Sequence, residues 1–193
     1  MIQEKVFKLA EKLLSDPVPL KEWISCDNHK LTPVNPEIKH KNPGVYAFWL
    51  NSHDSFNADQ LNKRIELAGP ADQKEPSVVH WQNNRPDSKS ALLYIGKTTT
   101  IQSRLSQHLK LRTTDFFNIG KKQAYPGKSL HKPTTSCQVR SGIEHLFWGH
   151  EMNFSEVLPF ISFNFIPIAD IRFFVEDLAI GLGCPWFNVD SER

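Results

Sequence analysis

Cysteine is scarce in this chain: Cys26, Cys137 and Cys184 are the only three in 193 residues, and no two form a C-x-x-C pair. An odd, widely spaced set supports neither a disulfide framework nor a zinc knuckle, and it fits a reducing, cytoplasmic compartment. Long apolar runs are missing as well. Phe173-Phe174-Val175 and Leu92-Leu93-Tyr94-Ile95 are far too short to cross a bilayer, and the N-terminus lacks an apolar signal core. We expect no membrane partner and no export signal. No internal repeat or low-complexity tract occurs, and the length suits one domain spanning residues 1–193.

Several catalytic motifs are present only as fragments. Gly96-Lys97-Thr98 matches the end of a phosphate loop, but Ala91 stands where the first glycine belongs, and Leu92 to Ile95 are strand residues unable to cradle phosphate. His150-Glu151 begins like a zinc-protease helix, yet Phe154 occupies the position of the second histidine. There is no Gly-x-Ser-x-Gly elbow, and Cys137 has no evident activating partner.

Net charge is small, at +2, but it is unevenly distributed. Between Lys97 and Arg140 lie nine basic residues (Lys97, Arg104, Lys110, Arg112, Lys121, Lys122, Lys128, Lys132 and Arg140) and one acid, Asp115. A segment of about +8 against a remainder of about −6 fits a positive face that follows phosphates, because neutralising them releases counterions. A solvated basic loop explains the same charge equally well.

Apolar periodicity predicts an amphipathic helix from Ile2 through Val6, Leu9, Leu13 and Leu14, ending at Ser15-Asp16-Pro17. Residues 16–43 carry five prolines and read as a connecting arm. Gly44 to Leu50 and Ala91 to Gly96 read as buried strands, with Gly96 letting the chain turn out of the second. Between them, residues 51–90 read as an insertion, with a short helix over Asn57–Ala68 and a small strand over Val78–Trp81. A helix beginning near Thr100 places Ile101, Leu105 and Leu109 toward the core and Arg104 with His108 on a neighbouring face. Beyond a basic loop at 110–141 come a helix near Gly142–Trp148 and a strand at Phe160–Ile168. A last helix is capped by Asp170 and closed by Gly181, Gly183 and Pro185. Its expected core arc is Ile171, Phe174, Val175, Leu178 and Leu182. The order of elements is that of a mixed α/β (α+β) layer fold.

Gly44-Val45-Tyr46, Tyr94-Ile95-Gly96-Lys97, Arg104, His108, Glu176 and Asn188 gain weight as a set. Singly, a strand tyrosine is usually packing and a helix arginine or glutamate is usually solvated. Glu176 alone would be read as a rim residue paired with Arg172. Together, with ten residues from Tyr94 to Arg104, four more to His108 and twelve from Glu176 to Asn188, the chain resembles the GIY-YIG nuclease superfamily. That resemblance implies a small three-stranded antiparallel sheet flanked by helices, here with an insertion between the first two strands, as in the restriction-endonuclease branch. It also implies two site tyrosines (Tyr46, Tyr94), a helix arginine (Arg104), a metal-binding glutamate (Glu176) and an asparagine (Asn188). Lys97 and His108 match positions used in many members.

The resemblance implies an endonuclease that hydrolyses phosphodiester bonds of double-stranded DNA with one magnesium or manganese ion per site. An unperturbed tyrosine, with a pKa of about 10, is a poor base at neutral pH, so nearby Lys97 and the metal would have to tune it. Tyr46 is the expected base and Tyr94 a positioning or proton-relay group, with the roles open to exchange. Arg104 clamps the phosphate, His108 positions or protonates, and Asn188 fixes the site. These residues would have to share a cleft. A structure-specific repair or recombination nuclease, a noncatalytic nucleic-acid-binding module and a protein adaptor are the rivals, and a homodimer would help to cut both strands.

Overall fold

Gly44 to Leu50 is apolar at every position after its glycine, a pattern stable in a strand only when both faces are covered. The computed structural model describes residues 2–27, 30–39, 41–51, 61, 64–67, 77–80, 90–109, 138–147 and 154–188. They form α1 (Ile2–Leu14), β1 (Val18–Pro19), β2 (Ile24–Asp27), β3 (Lys30–Pro33), α2 (Pro36–Lys39) and β4 (Gly44–Asn51). Next come β5 (Arg64–Leu67), β6 (Ser77–His80), β7 (Ser90–Thr98), α3 (Ile101–Leu109) and α4 (Gln138–Leu146). The last are α5 (Phe154–Val157), β8 (Ile161–Pro167) and α6 (Arg172–Gly183). The fold is a mixed α+β arrangement, and no helix among the described residues is long and apolar enough to cross a membrane.

The main sheet is antiparallel, in the order β1-β8-β4-β7. It has four strands rather than the expected three, because Val18 and Pro19 pair with Phe163 and Ser162 at the outer edge of β8. β4 is central, and Tyr46 lies opposite Gly96 on one side and Phe165 on the other. The β4–β7 register shifts between Phe48, which faces Tyr94, and Trp49, which faces Leu92. Leu93 is the extra residue of this bulge. It therefore shares a face with Tyr94, while Leu92 and Ile95 belong to the other face.

Val45, Ala47, Trp49, Leu92 and Ile95 pack beneath α1 and α6, against Ala10, Leu13, Val175 and Ala179. Tyr46, Phe48, Leu50, Leu93 and Tyr94 face the opposite layer, which contains α3, α4 and the two small hairpins β2–β3 and β5–β6. The Asn164 amide ties the layers at one end by donating to the carbonyls of Leu13 (3.0 Å) and Ser15 (2.7 Å).

Several expectations are corrected. The 16–43 segment is a folded part of the core, with Leu20, Ile24, Leu31 and Ile38 fully buried; proline count concealed apolar residues spaced to enter a hairpin and a turn. Within the expected Asn57–Ala68 helix, Arg64–Leu67 is the strand β5, whose period of two turns Ile65 and Leu67 inward. Gly96 does not turn the chain, which continues as strand to Thr98. Ile171, not Asp170, holds the α6 N-cap position, with no side-chain cap. At the other end Gly181 lies within the helix, and Cys184 in the left-handed conformation (φ 46°) caps it.

The inward face of α6 is Val175, Glu176, Ala179 and Gly183, while Phe174 and Leu182 are exposed. Size decided this orientation, because a Cβ at Gly183 would strike the side chains of Leu92 and Leu14. The small-residue stripe lets α6 lie close to the sheet, and bulkier apolar side chains are turned out.

Candidate active site

Tyr46 projects from the centre of the sheet because its strand alternates, and the ring enters the layer containing α3. α3 starts where expected, with the Thr100 carbonyl accepting from the Arg104 N–H (3.2 Å). Ile101, Leu105 and Leu109 anchor its apolar side, and His108 is buried beside them. Its Nε2 lies 2.7 Å from the Tyr46 hydroxyl. The phenol donates this bond when the imidazole carries its proton on Nδ1. Exposure is 1% for Tyr46 and 0% for His108, so the pair is shielded from competing water.

Tyr94 completes a triangle of rings. Centroids are 6.1 Å apart for Tyr46 and Tyr94, 5.6 Å for Tyr46 and His108, and 5.7 Å for Tyr94 and His108. Phe48 and Phe163 form an aromatic floor below Tyr46. Gly96 provides the room: a Cβ there would stand 2.5 Å from the Tyr46 hydroxyl and 2.8 Å from Tyr94 Cε1. Its smallness, rather than a turn, explains the glycine.

Lys97 follows Gly96 and therefore leaves β7 on the opposite face, where its ammonium pairs with the Glu176 carboxylate. The Arg172–Glu176 pairing is not formed; Arg172 donates to the Ala169 carbonyl instead. Glu176 is 7% exposed, drawn inward by the small-residue face of α6. Burial pushes its carboxyl above the usual carboxylate range, and the Lys97 hydrogen bond and charge oppose that shift. Desolvation outweighs pairing here.

Asn188 holds the outer edge of β7. Its amide donates to the Ile95 carbonyl and accepts from the Ile95 N–H, both at 2.8 Å, reproducing a strand partner. Trp186 and Phe187 donate to the carbonyls of Leu92 and Leu93 (3.3 and 2.7 Å), so the chain after α6 covers an otherwise open edge. This fixes the backbone on both sides of Tyr94.

Tyr46, Tyr94 and His108 thus converge, and Lys97 joins Glu176, but the two groups lie on opposite faces of β7 at successive residues. The expected shared cleft is divided by the strand. Arg104 is half-buried and hydrogen-bonded to Gln107 (3.2 Å), so it does not project with the buried His108. Of the expected nucleic-acid contacts, Lys110, Arg112, Lys121, Lys122, Lys128 and Lys132 lie outside the described residues. Arg140 is on α4 and only 8% exposed.

Among the described residues no three His, Cys, Asp or Glu side chains cluster to hold a metal. Glu176 alone suits a hard ion of the magnesium type, which binds through one or two carboxylates together with water and substrate phosphates. The sequence reading missed Phe173, an exposed ring beside Lys97. The available signal was two adjacent phenylalanines on a helix that can bury only one face. In comparisons with known proteins, no family model, curated protein or solved structure matches this chain.

Proposed function

We propose that the chain is an endonuclease that hydrolyses phosphodiester bonds, with double-stranded DNA as substrate, in the manner of the GIY-YIG superfamily it resembles. The observation that carries this reading is the 2.7 Å contact between Tyr46 and His108, enclosed with Tyr94 over a glycine that leaves room for it. Such a pair can relay a proton. As water attacks phosphorus, its proton passes to the Tyr46 oxygen while the phenolic proton moves to His108 Nε2; the P–O bond to the leaving oxygen breaks, and that oxygen takes a proton from solvent.

Glu176 would hold one magnesium or manganese ion, which supplies positive charge to a phosphate oxygen. Lys97 neutralises Glu176 before substrate arrives and then turns to the phosphate. Arg104 approaches from α3, while Asn188 keeps β7 in register. Because the two groups are separated by the strand, hydrolysis by this route requires a phosphate that reaches both faces of β7 and access of water to the enclosed Tyr46 hydroxyl when substrate binds.

A noncatalytic nucleic-acid-binding module is the second reading, favoured by the enclosure of Tyr46 and the neutralised carboxylate of Glu176. Supercoiled plasmid incubated with magnesium, manganese or chelator separates the two. We expect metal-dependent nicking that Glu176→Ala abolishes while DNA binding is largely kept. Binding without cutting by the unmodified protein would establish the second reading.

A further inference from the structure

We propose that Phe173, together with Lys97 and Arg172, receives an unstacked base of the nucleic acid beside the Lys97–Glu176 pair. The choice of ligand rests on the nuclease reading; the site itself rests on geometry. Phe173 is in the first turn of α6 and is 51% exposed. The Lys97 ammonium lies 4.8 Å from its ring centroid and the Arg172 guanidinium carbon 4.9 Å.

Half-exposed, this ring gains little from the core, whose contacts on α6 come from Val175 and Ala179 with Leu178 and Ile180 packed against them. Two cations hold it at the margin of a buried carboxylate. An aromatic ring for a base and cations for its phosphate are the two elements from which single-strand sites are built; here both cations lie over the ring, and a base stacking there displaces them toward its phosphate. Arg172 retains donors for that role, since the Ala169 carbonyl takes only one of its five N–H groups.

A paired base inside a duplex already has neighbours on both faces. Phe173 therefore selects a nucleotide that is unpaired, mismatched or flipped out, and the substrate class becomes nucleic acid with a locally opened strand next to the scissile phosphate.

The test uses the full chain in chelator, so that nothing is cut, and follows the anisotropy of a labelled 20-nucleotide strand, alone and as a perfect duplex. Phe173→Ala is expected to weaken single-strand binding about tenfold, with a much smaller effect on the duplex. Phe173→Trp restores binding and Phe173→Leu does not, since bulk without an aromatic face cannot stack. Arg172→Gln lowers the slope of log affinity against log salt by about one charge. Equal single-strand binding by the wild type and Phe173→Ala overturns the proposal. So does full rescue by leucine, or a change of sedimentation in Phe173→Ala that marks the ring as a protein contact.

Magnesium-dependent cutting of the same strands is measured in parallel. Glu176-dependent cutting with unchanged behaviour of Phe173→Ala sinks this proposal alone. Ring-dependent binding with no cutting by the wild type sinks the nuclease reading alone.

Discussion

At Gly96 one added methyl group would stand 2.5 Å from the Tyr46 hydroxyl, so Gly96→Ala must move the phenol or part the strands. Overpacking of this kind costs about 1–3 kcal/mol, and we expect a lower melting temperature together with loss of cleavage. A variant as stable as the wild type would show that the ring can move aside at no cost. At Glu176 the relevant variable is pH. Burial raises this carboxyl above its ordinary value of 4.5, so the folded chain holds the proton more tightly than the unfolded one. This group's contribution to stability therefore falls as pH rises from 4.5 through the raised folded-state value, and then levels off. Glu176→Gln lacks that fall. Urea denaturation across the acid range should show the variant gaining on the wild type through this window, whereas a constant difference would mean that desolvation does not dominate.

At the scale of elements, β4, β7, β8 and α3 were legible because their signals are local: apolar runs for strands buried on two faces, and four-residue spacing for the helix. What joins them was less so. Asn188 was expected to fix the site by hydrogen bonds, but its partner, the backbone of Ile95, is 93 residues away and carries no mark in sequence. Asn188→Ala leaves both polar groups of Ile95 without that partner, at a cost of about 1–3 kcal/mol. Native-state hydrogen exchange should accelerate at the Ile95 amide far more than at the central-strand amides. Uniform acceleration would instead indicate global loosening. The hairpin β2–β3 was hidden by prolines around it, and β5 by a four-residue apolar pattern too short to distinguish helix from strand. The α6 face was misread because hydropathy ranks Phe174 above Gly183, whereas close packing ranks them in reverse.

For the whole molecule, the mixed α+β class followed from the order of elements, while the fourth strand and the packing of the two layers depend on contacts distant in sequence. The division of the candidate site was equally invisible, since Gly96 and Lys97 adjoin in the chain but face opposite layers. α1 is one of two helices over the Val45, Ala47 and Trp49 face, and it is tied down by Asn164. Deleting residues 2–14 should remove the cooperative transition seen by calorimetry, because that apolar face would be opened to water. A sharp transition in the shortened chain would make α1 an accessory. The bulge at Leu93 has a consequence for evolution of the chain as well: it is a place where β7 can lose a residue while the flanking residues keep their partners and faces. Excising that one leucine would leave Leu92 opposite Trp49 and Tyr94 opposite Phe48 in a regular ladder, whereas excising Ile95 would turn Tyr94 and Lys97 toward the same layer.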